Sequence, residues 1–243
     1  MRREVTTDVA VLQRLIATAG KDMIDIGCGA GALVRELARR GARVAGIEIS
    51  AERLSAALSL AEHGDGATST GTGTGTERYL VGRAQALPLE DGSVDVAVFM
   101  RTLHHVPPPG LEGALRETRR VLRPGGVAYV AEPLSEGDYY ALASMVEDEL
   151  EARQAAQVAL IDAGLAGLEL TATVEYEVQV RIADLAALRK QMVSVNPHRA
   201  EIFDAREGTI AAALGRLGEP GERSGERRFL APMRADVLRV AAA

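Results

Sequence analysis

The stretch MIDIGCGAGAL, residues 23–33, decides the fold. An apolar run containing a single acid, Asp25, is followed by glycines at alternate positions, Gly27, Gly29 and Gly31, and then by a helical pattern from about residue 30. This reads as strand, glycine turn, helix. Glycines admit positive φ and let a ligand lie against the backbone. The helix start offers unpaired N–H groups and a partial positive charge. A nucleotide-like ligand suits that arrangement. The stretch also satisfies the GxGxxA spacing of a dinucleotide site through Ala32, with Glu48 at the distance of a ribose acid. An NAD(P)-dependent oxidoreductase and a non-catalytic nucleotide-binding domain are therefore both readings of these residues.

Working outward, apolar strands alternate with helices: strands at 22–26, 43–49, 78–81, 94–100 and 127–132, and helices at 30–40, from Ser50 to about 64, and at 111–122. VDVAVFM (94–100) is nearly all apolar, as expected of a strand covered on both faces. Such alternation predicts right-handed βαβ units, an open parallel sheet and helices on both faces. Ligands in these sheets bind beyond the carboxyl ends of the strands. Segments 25–31, 82–87 and 100–105, with Glu48, converge there. Upstream, residues 6–19 read as a helix. Downstream, 137–163 reads as a long acidic helix, 168–180 as an alternating strand, 182–195 and 199–217 as two helices, and 229–240 as a final strand. LRPGG (122–126) reads as a sharp stop and turn. HGDGATSTGTGTGT (63–76) is low-complexity sequence expected to form a surface loop.

Composition sets the outer bounds. The chain has 243 residues, 47% hydrophobic and 26% charged, as in one large soluble globular domain or one domain with a modest addition. No apolar run is long enough for a bilayer and the first residues lack a signal-peptide core, so no membrane association is expected. The single cysteine, Cys28, fits a reducing, cytoplasmic location. The net charge is −6, aromatics are 3% and tryptophan is absent, which argues against a base-stacking nucleic-acid platform.

The stretches DIGCGAG (25–31), VAGIEIS (44–50), GRAQALPLEDGSVDVAVFM (82–100), LHHV (103–106) and LRETRRVLRPGG (115–126) together resemble class I S-adenosylmethionine-dependent methyltransferases, in particular the branch with an LHHV loop. The resemblance covers roughly residues 20–133. It implies a doubly wound, Rossmann-like α/β fold: a seven-stranded, mostly parallel sheet with the last strand antiparallel. It also implies S-adenosyl-L-methionine as cofactor and a core over 1–180, a helical insertion over the acceptor site at 181–226 and the final core strand at 227–243. Carried over by position, Gly27, Cys28 and Gly29 would meet the methionine part. Asp25 would hold the loop or the ligand's amino group, and Glu48 would take the ribose hydroxyls. Ile49 and Ala84 would meet the adenine, and Met100 and Arg101 would line the sulfonium end. The family often has an acid where Arg83 stands. Arginine cannot accept from the adenine amino group, so Gln85 or apolar packing would have to serve.

The expected activity is in-line methyl transfer to a small-molecule acceptor, with a second copy of the chain as the one possible protein partner. His105 is the candidate base and Tyr140 a candidate acceptor-side residue, beside Glu132 and Tyr139. The structural alternatives are packing for His104, His105 and Tyr140, a buried thiol for Cys28, a surface helix start for His198 and Arg199, and a solvated face for the acidic run 147–151. Adjacent histidines lack the i, i+4 spacing of helical metal ligands and no third ligand is evident, so no metal is expected.

Overall fold

The computed structural model describes residues 2–62 and 77–241; the low-complexity stretch 63–76 lies outside them. In chain order the first elements are β1 (Glu4–Thr6), α1 (Asp8–Leu15), β2 (Asp22–Ile26), α2 (Ala32–Arg39), β3 (Arg43–Glu48), α3 (Ala51–Glu62), β4 (Glu77–Val81) and β5 (Val94–Met100). There follow α4 (Leu111–Val121), β6 (Leu122–Pro133), α5 (Gly137–Ala143), α6 (Leu150–Ile161) and β7 (Leu168–Ile182). The chain closes with α7 (Leu185–Val195), α8 (Arg199–Ala205), α9 (Glu207–Leu217), β8 (Glu219–Pro220) and β9 (Arg227–Val240).

Two compact units result. The core unit holds Asp8–Glu132, Gln154–Val174 and the residues from Ala235 on. The other holds the residues through Thr7 with Pro133–Arg153 and Glu175–Arg234, so the helices of the expected insertion lie within it. In the core the strand order is β7-β9-β6-β5-β2-β3-β4. The pairs from β6 to β4 are all parallel. This is the doubly wound, mostly parallel sheet that the alternation predicts, with the last strand inserted beside β6. β2 and β5 are buried along almost their whole length. Ile24, Ala45, Ala97, Phe99 and Val130 join α4 residues such as Leu115 in one apolar cluster.

The amino ends of the strands are tied by charge. Val94 pairs with Leu122 but Val96 with Val127, so the expected LRPGG turn is a bulge within β6, opposite Asp95. Its Arg123 reaches Asp22 at 2.8 Å and Asp95 at 3.0 Å, while Arg43 reaches Asp22 at 2.6 Å. Arg43 and Arg123 hold the Asp22 carboxyl below its ordinary range.

The second unit has its own core of Leu142, Ile182, Leu188, Phe203, Ile210 and Phe229. In it β1 pairs in parallel with the later part of β7, and β8 pairs with β9. Four expectations change here, in whole or in part. The long acidic helix is two, α5 and α6, because the intervening carboxylates turn to side-chain partners. Arg199 is buried rather than a surface residue, with its guanidinium on Glu147 and, at 2.6 Å, on Glu149. Within the run 147–151, Glu147 and Glu149 are thus ion-paired to Arg199, while Asp148 and Glu151 stay exposed. The helix expected at 199–217 breaks at Arg206 into α8 and α9.

Gly31 has a packing task. It sits at φ +73°, and a Cβ there would stand 2.6 Å from the Tyr79 ring and hydroxyl. Gly31→Ala is expected to lower stability by about 2–4 kcal/mol through left-handed strain and overpacking. In a melting experiment that is a fall in Tm of about 5–15 °C. Gly29→Ala should cost only the strain, since nothing lies within 4 Å of its Cβ position.

Candidate nucleotide and methyl-donor site

The turn after β2 is fixed from within. The N–H groups of Gly27 and Cys28 both donate to the Ile47 carbonyl, at 2.7 and 3.0 Å, and that of Gly31 to the Cys28 carbonyl at 2.8 Å. The Gly29 N–H donates to Glu48 Oε2 at 3.0 Å. These four amides of the turn are therefore committed to the protein. Gly27 is small because a Cβ would lie 2.1 Å from the Thr102 methyl. Gly29 faces open space. Of the three glycines it is the one whose bare backbone a ligand can approach. Cys28 is buried with its Sγ against Gly46, and burial pushes its thiol up to about 12. It is a packing residue with no nucleophilic character.

Two acids floor this turn. Asp25 and Glu48 end neighbouring strands and each is 3% exposed. Glu48 accepts from Gly29 and, through Oε1, from the Ser50 N–H at 3.0 Å. Each oxygen keeps a further lone pair, the acceptor pattern a vicinal diol needs. Burial, and then the charge of Glu48, push the Asp25 carboxyl up to about 7.

The loop after β5 hangs on one residue. Glu132, at the end of β6, is 3% exposed. Its Oε1 accepts the N–H groups of Thr102 at 3.1 Å and Leu103 at 2.7 Å. Its Oε2 meets His104 Nδ1 in a short contact. His104 is thus a buried, oriented residue. His105 is exposed, its ring 4.0 Å centroid to centroid from that of His104. The sequence offered one signal for Glu132: a lone acid ending the apolar run VAYVA.

On the far side of Glu48 the surface is apolar. Ile49 is 65% and Val81 57% exposed, while Ala84 and Leu87 are buried. The Gln85 amide lies against Gly110, where a Cβ would come within 2.5 Å of Nε2. Arg83 is exposed. The loop is held from α4, where Glu117 accepts the Leu87 N–H at 2.9 Å and Arg120 donates to the Leu87 and Leu89 carbonyls. Both lie within the LRETRRVLRPGG stretch, but sequence reading gave neither of them this task. Met100 is half-buried at the end of β5, and Arg101 turns the chain after it. Tyr140 belongs to the second unit, where its hydroxyl donates to Asp148 Oδ1 at 2.7 Å.

This architecture defines the class: a Rossmann-like fold shared with S-adenosylmethionine-dependent methyltransferases. The methyltransferase-domain sequence family matches residues 24–130, so this stretch of the chain is similar to that domain. It is 39% identical over 115 residues to a ubiquinone biosynthesis O-methyltransferase of Cupriavidus pinatubonensis, covering 46% of this chain and 41% of that protein. It is 27% identical over 129 residues to a sterol 4-C-methyltransferase of Caenorhabditis elegans, covering 53% and 36%. The chain thus spans less than half the length of these relatives. A SAM-dependent methyltransferase of Methanosarcina mazei superposes with a TM-score of 0.59 at 18% identity, covering 98% of this chain and 100% of that one. Among the described residues no helix is long and apolar enough to cross a membrane.

The family's cofactor fits the residues present. The open face of Gly29 admits a chain against the backbone, Glu48 has acceptor capacity for a ribose, and Ile49 and Val81 give an exposed apolar surface for adenine. The elevated Asp25 has a measurable consequence. Because its folded value lies above the ordinary 3.8, the unfolded chain loses this proton first, and stability falls as pH rises from about 4 to about 7. Asp25→Asn removes that dependence. Its melting temperature without ligand should match the parent near pH 4 and exceed it increasingly up to pH 7. The ceiling is about 4 kcal/mol, from about three units at 1.36 kcal/mol each.

Proposed function

We propose that this protein transfers a methyl group from S-adenosylmethionine to a small-molecule acceptor. The observation that carries the reading is the turn at residues 27–31. A site for a dinucleotide pyrophosphate aims free amides at the ligand. Here the amides of Gly27, Cys28, Gly29 and Gly31 have partners within the protein, and buried acids floor the site. Such a floor repels a pyrophosphate and suits a ligand with cationic groups and a diol. This favours the methyl donor over the oxidoreductase reading.

When bound, the cofactor supplies a methyl carbon on a sulfonium, already activated for in-line displacement by the acceptor atom. The protein's task is then mainly positioning. In our reading Gly29 lets the methionine portion approach the backbone, Glu48 holds the ribose, and Ile49 and Ala84 flank the adenine. Glu132 keeps the 101–106 loop in place through two amides and His104. His105, exposed on that loop, is assigned the acceptor's proton where the acceptor carries one. Both curated relatives bear names of small-molecule chemistry, one at oxygen and one at carbon.

Calorimetric titration with S-adenosylhomocysteine tests the reading. The parent should bind, and Glu48→Gln should bind about 30-fold more weakly, the scale of losing a charge-assisted hydrogen bond or two. Unchanged affinity in that variant, or a larger thermal shift with NAD than with S-adenosylhomocysteine, would overturn it.

A further inference from the structure

Arg101 sits at φ +58°, the one non-glycine residue in the left-handed region among the described residues. A side chain is strained there and persists only where its surroundings over-determine the backbone. Some of those constraints are backbone contacts. The Arg101 N–H donates to the Ala131 carbonyl at 2.7 Å, and the next two amides donate to Glu132. Glycine would satisfy all of these without strain. What arginine adds is its guanidinium, which reaches Asp8, the first residue of α1, with Nη2 2.6 Å from Oδ2. Asp8 is 18% and Arg101 42% exposed at the side chain, so the pair is partly withdrawn from solvent.

The position is consequential. The Thr102 methyl, next along the turn, occupies the space beside Gly27. Arg101 is therefore the residue next to the chain's contact with the glycine turn, at the same carboxyl ends of the strands that carry the buried Asp25 and Glu48. A bare guanidinium there would oppose a cation that the floor attracts. Paired with Asp8 its field decays as that of a dipole.

We propose that Asp8 is a positioning and charge-shielding residue for the methyl donor. By pairing with Arg101 it holds the strained turn and makes the rim neutral, so that S-adenosylmethionine, with its extra sulfonium charge, is not disfavoured against its net-neutral, zwitterionic product. This rests on the donor reading given above. It concerns discrimination between donor and product, which bears directly on product inhibition.

The test is a ladder of rim charge, read by calorimetric affinities for S-adenosylmethionine and S-adenosylhomocysteine at low salt. Asp8→Asn sets the rim at plus one, Arg101→Gly at minus one, and the double variant at zero. The donor-to-product affinity ratio should fall about threefold to tenfold in Asp8→Asn and rise similarly in Arg101→Gly. It should return to within about twofold of the parent in the double variant and in Asp8→Glu, and the differences should shrink in about 0.5 M salt. Arg101→Gly should melt no lower than the parent, because it relieves the strain. If Asp8→Asn does not fold, Arg101→Gly and the double variant still give two rungs. A ratio that is flat across the ladder while both ligands bind overturns this inference alone. A parent that binds neither ligand overturns the donor reading and this inference with it.

Discussion

Buried carboxylates at the carboxyl ends of parallel strands are the constraint around which the rest of this site is arranged. A carboxylate taken out of water needs donors to answer it. Glu132 takes two consecutive backbone amides and a histidine ring, and so dictates the path of the chain after β5. Glu48 takes one amide from the glycine turn and one from the start of α3, and so binds two neighbouring loops together. Asp25 shows the opposite outcome: burial and the nearby charge of Glu48 raise it toward neutrality. The amino ends contrast with this. There Asp22 and Asp95 meet Arg43 and Arg123, and both carboxyls lie below their ordinary range. One pole of the sheet is tied by ion pairs, and at the other Glu48 and Glu132 are answered by amides while Asp25 is left raised by burial.

The sheet and its helices were legible because their signals are local and periodic. An unbroken apolar run such as VDVAVFM has few alternatives to a buried strand, and glycines at alternate positions before a helical stripe have few alternatives to a tight turn. What was not legible depends on partners far along the chain. Nothing within 137–163 announces that Glu147 and Glu149 would leave a helix to meet Arg199, some fifty positions on. Likewise the bulge at Arg123 exists because Asp22 and Asp95 wait for it, and neither is near it in sequence. Site residues were legible by type, and less so by task. Gln85 is at the expected place, yet its amide packs on Gly110. His104 is oriented by Glu132, whereas its neighbour His105 is left outside.

The three glycines illustrate the same division. Sequence gives them one meaning, access of a ligand to the backbone. The structure gives them three: Gly27 makes room for Thr102, Gly29 faces open space, and Gly31 makes room for Tyr79. A residue type chosen for conformation in one place is chosen for volume two positions later.

That last contact reaches further than the turn. Tyr79, on β4, also limits Gly46 on β3, where a Cβ would stand 3.0 Å from its ring. Gly31, Gly46 and Tyr79 therefore constitute a single decision about volume, taken jointly by three segments of the chain. A bulkier residue at 31 calls for a smaller one at 79, and one at 46 calls in addition for room at Cys28, whose Sγ stands 2.8 Å from the Cβ position, and at Val34. Across homologous sequences a gain of volume at either glycine should therefore be accompanied by losses among these neighbours.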